Sequence, residues 1–134
     1  MTKGKIFLLP FPYDDLSANK LRPAACLTNP LGARRHVILA YITSRLPTNL
    51  LETDIVLDAS HLDFQASGLR VPSTIRLHQL VTVSTVVVQR ELGELSSDTQ
   101  AQIAEKLYNL LSQWAPIGET YIRTYATFKF LHDP

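Results

Sequence analysis

Two short segments carry residue types that can hold a phosphate: Lys20 and Arg22 in one, Thr43, Ser44 and Arg45 in the other. A guanidinium presents a planar fork that binds two phosphate oxygens at once and keeps its charge at any working pH. A threonine or serine hydroxyl can donate to a further oxygen. Arg22 stands immediately before Pro23, which biases it towards an extended backbone. Thr43 ends the strand-like run 36–43 where the loop Ser44-Arg45-Leu46-Pro47 begins. Phe11 and Tyr13, in Pro10-Phe11-Pro12-Tyr13, offer rings on which unpaired bases can stack, although Phe11 suits a core equally well. Taken alone, these residues have a plainer reading. An arginine before a proline at a strand start is more often a surface ion-pair residue, here with Asp14 or Asp15, and threonine is common in strands for its β-branched shape.

Other chemistries find less support. His36, His61, His78 and His132 are scattered and lack metal-ligand spacing, as do Asp54, Asp58 and Asp63. The chain has no phosphate-cradling glycine loop, nucleophile elbow or paired CxxC. No metal and no cofactor are expected.

The elements that must position these side chains belong to one domain, since 134 residues with 46% hydrophobic and 19% charged suffice for one core and not comfortably for two. A net charge of +1 excludes a broadly basic surface, so any contact with nucleic acid must come from a local cluster. The single cysteine, Cys26, lies in an apolar run and reads as a small core residue; one cysteine allows no intrachain disulfide and makes a cytoplasmic protein the default. No apolar stretch approaches the roughly 18 residues of a membrane helix, and the N-terminus lacks a signal-peptide pattern, so no membrane is expected as a partner.

Short apolar runs at 5–9, 24–28, 36–43, 53–57, 71–77 and 80–83 predict strands, broken by Pro10, Asn29-Pro30, Gly32 and Ser67-Gly68. Five or six strands this closely spaced predict a small barrel. Residues 11–22 mix aromatics, acids and turn formers and predict a surface loop, where function tends to sit. From Ser97 the pattern turns helical, with Ile103, Leu107, Leu110, Leu111 and Trp114 on one face, a capping box from Ser97 and Gln100, and an end near Pro116 and Gly118. Residues 84–90 are ambiguous between a short helix and a strand, and the aromatic stretch 119–134 predicts a tail that docks on something.

The order of these pieces resembles the MazF/PemK toxin family. The resemblance rests on Gly4 opening the first strand, Pro10-Phe11-Pro12-Tyr13 ending it, Asp15-Leu16-Ser17, and Lys20-Leu21-Arg22-Pro23-Ala24. It continues through Ile42-Thr43-Ser44, Leu46-Pro47-Thr48, Ser67-Gly68-Leu69, residues 73–83, and Leu92-Gly93-Glu94-Leu95, so it covers 4 to about 115 and leaves 119–134 as an extension. The family implies a mainly β fold, a small SH3-like β-barrel with a C-terminal helix, and a homodimer. It also implies a metal-independent endoribonuclease that attacks single-stranded RNA such as messenger RNA and is neutralised by a cognate antitoxin protein. The positions matching the family's catalytic pair are Arg22 and Thr43, with Lys20, Ser44 and Arg45 placed to position phosphates and Phe11 and Tyr13 to stack bases. Two departures stand out: Lys5 replaces an acidic residue common in the family, and the tail runs past the usual end. Relatives of this fold that inhibit DNA gyrase, through residues of the C-terminal helix, give an alternative prompted by Trp114, and a barrel that only binds a partner gives a third.

Overall fold

The computed structural model describes residues 1–10 and 20–114, excepting the side chain of Trp114. Its strands are β1 (Lys5–Pro10), β2 (Leu21–Cys26), β3 (His36–Thr43), β4 (Asp54–Leu57), β5 (Ser73–Ser84) and β6 (Arg90–Glu94), with helices α1 (Phe64–Ser67) and α2 (Ser97–Leu111). All strand pairs are antiparallel and form one six-stranded sheet in the order β4-β5-β3-β2-β1-β6. The sheet is curled and carries the C-terminal helix, the barrel architecture expected.

β3 is central because its sequence is apolar at both parities. Ala40 and Ile42 enter one buried cluster with Ile6, Ala25, Ile55, Leu57, Ile75 and Leu77. Val37 and Leu39 enter another, on the opposite face, with Phe7, Leu9, Ala24 and Cys26. A strand buried on both faces needs this near-continuous apolar run. Helix α2 closes the first cluster with Ile103, 5% exposed, and with Leu107 one turn on; truncating a buried isoleucine of this kind costs about 3 kcal/mol. Cys26 is buried as expected, its Sγ donating to the Thr28 carbonyl at 3.2 Å, and burial pushes its thiol up rather than towards a reactive thiolate.

Several boundaries differ from the sequence reading. The two strands expected at 71–77 and 80–83 are one strand, β5, in which the register steps from Ala40 opposite Leu80 to Tyr41 opposite Arg76. The extra residues Leu77, His78 and Gln79 form a bulge that bends the strand, so that its first half can also pair with β4. β2 begins at Leu21 and so takes Arg22 and Pro23 into the sheet, with Pro23 opposite Leu8. The ambiguous segment is neither alternative over its length: a single 3-10 turn, Thr85–Val87, leads into β6. Charged Arg90-Glu91 and Gly93 hid β6, and they suit an edge strand. Lys5 reaches across that edge to Glu91 at 3.3 Å and Glu94 at 3.7 Å, which gives this lysine two carboxylate partners.

The cap of α2 is Ser96, one residue before the expected Ser97. Its hydroxyl accepts from the Thr99 N–H at 3.3 Å, while Gln100 Nε2 donates to the Leu95 carbonyl at 2.9 Å. The helix stops at Leu111 and a 3-10 turn, Ser112–Trp114, follows. The expected end near Pro116 and Gly118, the loop residues 11–19 and the tail 119–134 lie outside the described residues.

Candidate functional site

Where β2 and β3 reach the same end of the sheet, their register decides which side chains meet. Ala24 lies opposite Tyr41, Ala25 opposite Ala40 and Cys26 opposite Leu39. Continued to the strand ends, the same register sets Arg22 opposite Thr43, and residues directly opposed in an antiparallel pair share a face. On its other side Arg22 is paired with Leu9 of β1. Thr43 is paired with Thr74 of β5. Both Arg22 and Thr43 are half-buried.

The backbone at Thr43 is held locally. Its Oγ1 accepts from the Arg45 N–H at 3.1 Å, a turn in which the hydroxyl mimics a carbonyl. The turn exposes Ser44 and Arg45. Beside it Thr74 is fully buried, and its Oγ1 has no hydrogen-bond partner among the described residues. Two positions along the same strands, Arg76 lies between Tyr41 and Asp54. Arg76 Nε donates to Asp54 Oδ1 at 3.1 Å, and Asp54 Oδ2 accepts from the Leu51 N–H at 2.9 Å. The Asp54 side chain is 0% exposed, so its charge is held by a guanidinium and a backbone donor together.

A pocket of about 250 Å³ opens at this end of the sheet, lined by Arg22, Ser44, Arg70, Ser73 and Arg90 among its polar residues. Leu8, Pro23, Ile42, Leu69 and Leu92 form its apolar wall, and among the described residues no carboxylate lines it. Three guanidiniums around such a hollow, with the hydroxyl-bearing Tyr41, Ser44 and Ser73, give it the chemistry to hold an anion. Of the residues expected from sequence, Arg22 and Ser44 line the pocket and Thr43 does not. Lys20 and Arg45 are exposed and do not line it. Phe11 and Tyr13, and the Asp14 and Asp15 considered as partners of Arg22, lie outside the described residues.

Arg70, Ser73 and Arg90 are the residues that sequence reasoning missed. Arg70 follows the recognised Ser67-Gly68-Leu69, but nothing in spacing brings Arg90 to it. Their meeting depends on the loop after α1 lying against β6, which a linear reading does not show. Among the described residues no three His, Cys, Asp or Glu side chains gather as they would around a metal ion. No helix among them is long and apolar enough to cross a membrane.

Comparison with known proteins extends the picture. Residues 2–111 match the family described as PemK-like, MazF-like toxin of type II toxin-antitoxin system. No curated protein matches the chain in sequence. Among solved structures, the Mycobacterium tuberculosis toxin MazF-mt6 is similar with a TM-score of 0.57 and 24% identity, over 78% of this chain and 93% of that one. An endoribonuclease in complex with its cognate antitoxin, from a mycobacterial species, is similar with a TM-score of 0.59 and 18% identity, over 87% and 99%. A MazE-MazF structure from Deinococcus radiodurans gives a TM-score of 0.57 and 20% identity, over 83% and 94%.

Proposed function

Because the chain belongs to the PemK-like, MazF-like family of toxins of type II toxin-antitoxin systems, we propose that it is an endoribonuclease that cleaves single-stranded RNA without a metal ion, using Arg22 and Thr43. The observation that supports this reading is the register of β2 and β3, which when continued to the strand ends brings Arg22 opposite Thr43, together with a pocket at Arg22 that holds two further arginines and, among the described residues, no carboxylate.

The reaction is an in-line transfer. The ribose 2′-oxygen forms a bond to the adjacent phosphorus as the bond from phosphorus to the 5′-oxygen breaks, leaving a 2′,3′-cyclic phosphate and a 5′-hydroxyl. The proton lost from the 2′-oxygen is matched by one gained at the 5′-oxygen. Negative charge builds on the phosphorane oxygens, and the Arg22 fork stabilises it there. With a pKa above about 12, a guanidinium is suited to that electrostatic role rather than to proton donation. The Thr43 hydroxyl donates to a phosphate oxygen and orients it, and Ser44, Lys20 and Arg45 steer the strand's phosphates towards the pair.

The same reading assigns a homodimer in the cytoplasm and an antitoxin segment that covers the site. Incubating mixed single-stranded RNA with the protein in EDTA tests it. Wild type cuts, Arg22→Ala is slowed about 100-fold or more, and expression of wild type alone arrests growth. RNA left intact by wild type, or cut equally by Arg22→Ala, overturns the reading.

A further inference from the structure

Arg70 and Arg90 are the two pocket guanidiniums that the proposed chemistry does not use. We propose that they form a subsite for a second backbone phosphate of the RNA strand, next to the phosphate held at Arg22; this rests on the ribonuclease reading above.

The first support is charge. The pocket places three arginines around one hollow with no acidic residue among the described residues of its lining. Among the described residues neither Arg70 nor Arg90 takes part in an ion pair, and both are exposed. Lys5, on the same β1–β6 edge, has two carboxylates for its one ammonium. The fold thus neutralises one cation of this edge and leaves Arg70 and Arg90 available to an anion from solution.

The second support is that the two arginines are built into a fixed scaffold. Arg90 opens β6 and is paired with Leu8 of β1. Arg70 follows the turn at Gly68, whose φ of 76° is a left-handed conformation that glycine adopts without strain. At Gly68 a side chain would collide with the Leu92 carbonyl, and at Gly93 one would collide with the Ala66 carbonyl and the Ser67 backbone. Two bare glycines therefore let the α1 loop press its backbone directly onto β6. That contact carries Arg70 to the wall that Arg90 occupies, on backbone that cannot drift apart without opening the contact.

The third support is size and partners. At about 250 Å³ the hollow falls below the roughly 300 Å³ at which small-molecule sites begin, so it suits a phosphate or sugar-phosphate unit better than a stacked base. Ser44, exposed at the rim, adds a neutral donor to the guanidiniums, whereas the Ser73 hydroxyl already donates to the Val71 carbonyl at 2.9 Å. The subsite binds the strand and takes no part in bond breaking, so Arg70 and Arg90 are positioning residues.

Cleavage of an unmodified strand is mapped first. A matching strand with 2′-deoxyribose at the cut position, which cannot react, is then bound at several salt concentrations. Arg70→Gln/Arg90→Gln should raise KM about tenfold with kcat nearly unchanged, and should lower the salt slope by about 0.7, one single-strand phosphate. Arg70→Lys/Arg90→Lys should restore the slope. Replacing one phosphate beside the cut by a neutral methylphosphonate should weaken wild type about tenfold and the glutamine double variant hardly at all. If the double variant cuts and binds as wild type does, or is as sensitive as wild type to every methylphosphonate, the subsite is disproved while the ribonuclease reading stands. Unchanged RNA binding with lost binding of an acidic antitoxin segment also disproves it. If wild type cuts no RNA, the ribonuclease reading fails and the subsite falls with it.

Discussion

Thr43 and Thr74 are directly opposed across β3 and β5, yet among the described residues only one of the two hydroxyls has a partner: Thr43 Oγ1 accepts from the Arg45 N–H, and Thr74 Oγ1 is buried without a hydrogen bond. A buried hydroxyl that has lost water and gained nothing destabilises the folded chain. Thr74→Val keeps the shape and removes the polar atom, so it should raise stability by about 1 kcal/mol, read as a higher urea midpoint at unchanged slope, with RNA cleavage retained. A fall in the midpoint would show that Thr74 is satisfied in solution.

Charge and shape at Arg22 can be separated. Arg22→Lys keeps the cation and loses the fork, so RNA cleavage should fall about tenfold, against about 100-fold or more for Arg22→Ala. Equal losses in the two variants would mean that bidentate geometry accounts for the whole effect of Arg22.

The Asp54–Arg76 pair fixes β4 to β5 two residues from Thr74 on β5. Removing one member leaves the other without its compensating charge, and Asp54→Ala also strips the Leu51 N–H of its acceptor. The expected cost is about 3 kcal/mol, measured by denaturant unfolding. Asp54→Asn should cost less, because its side-chain oxygen can still accept one of the two bonds.

Asp63 supplies an acid-sensitive link between α1 and α2. Its Oδ2 accepts from both the N–H and the hydroxyl of Ser96 at 2.9 Å. Burial pushes its carboxyl up, but hydrogen bonds from Thr99 and Ser96 and the nearby His61 outweigh this and hold it below the usual 3.8. A carboxylate depressed by folding stabilises the protein above its unfolded pKa, and that stability is lost as pH falls through the folded one. Unfolding temperature should therefore drop below about pH 4 in wild type, and Asp63→Asn should start lower and show a shallower acid fall.

Much of this architecture was legible because hydrophobic period survives folding. The double-faced run of β3 and the helical spacing of Ile103 and Leu107 each have one way to bury their apolar atoms. β6 was hidden because an edge strand can be charged, and its sequence carries almost no apolar signal. In sequence β5 looks like two strands because His78 and Gln79 interrupt the alternation, and a bulge resembles a break when its partner strand is not in view. At the candidate site, Arg22 and Thr43 are reachable through motif order. Arg70 and Arg90 were not, since they are brought together by the backbone contact at Gly68 and Gly93, and absence of a side chain leaves no pattern along the chain.

The bulge in β5 also ties three strands together. By bending, this strand holds its first half between β3 and β4 while its second half continues along β3. Ile75, fully buried and paired with both Ile42 and Ile55, sits where the two ladders share a strand. Neither neighbour can peel away without exposing that shared segment, so the slowest amide exchange in the molecule belongs at Ile75 and its neighbours, and the sheet opens there only when the whole domain unfolds.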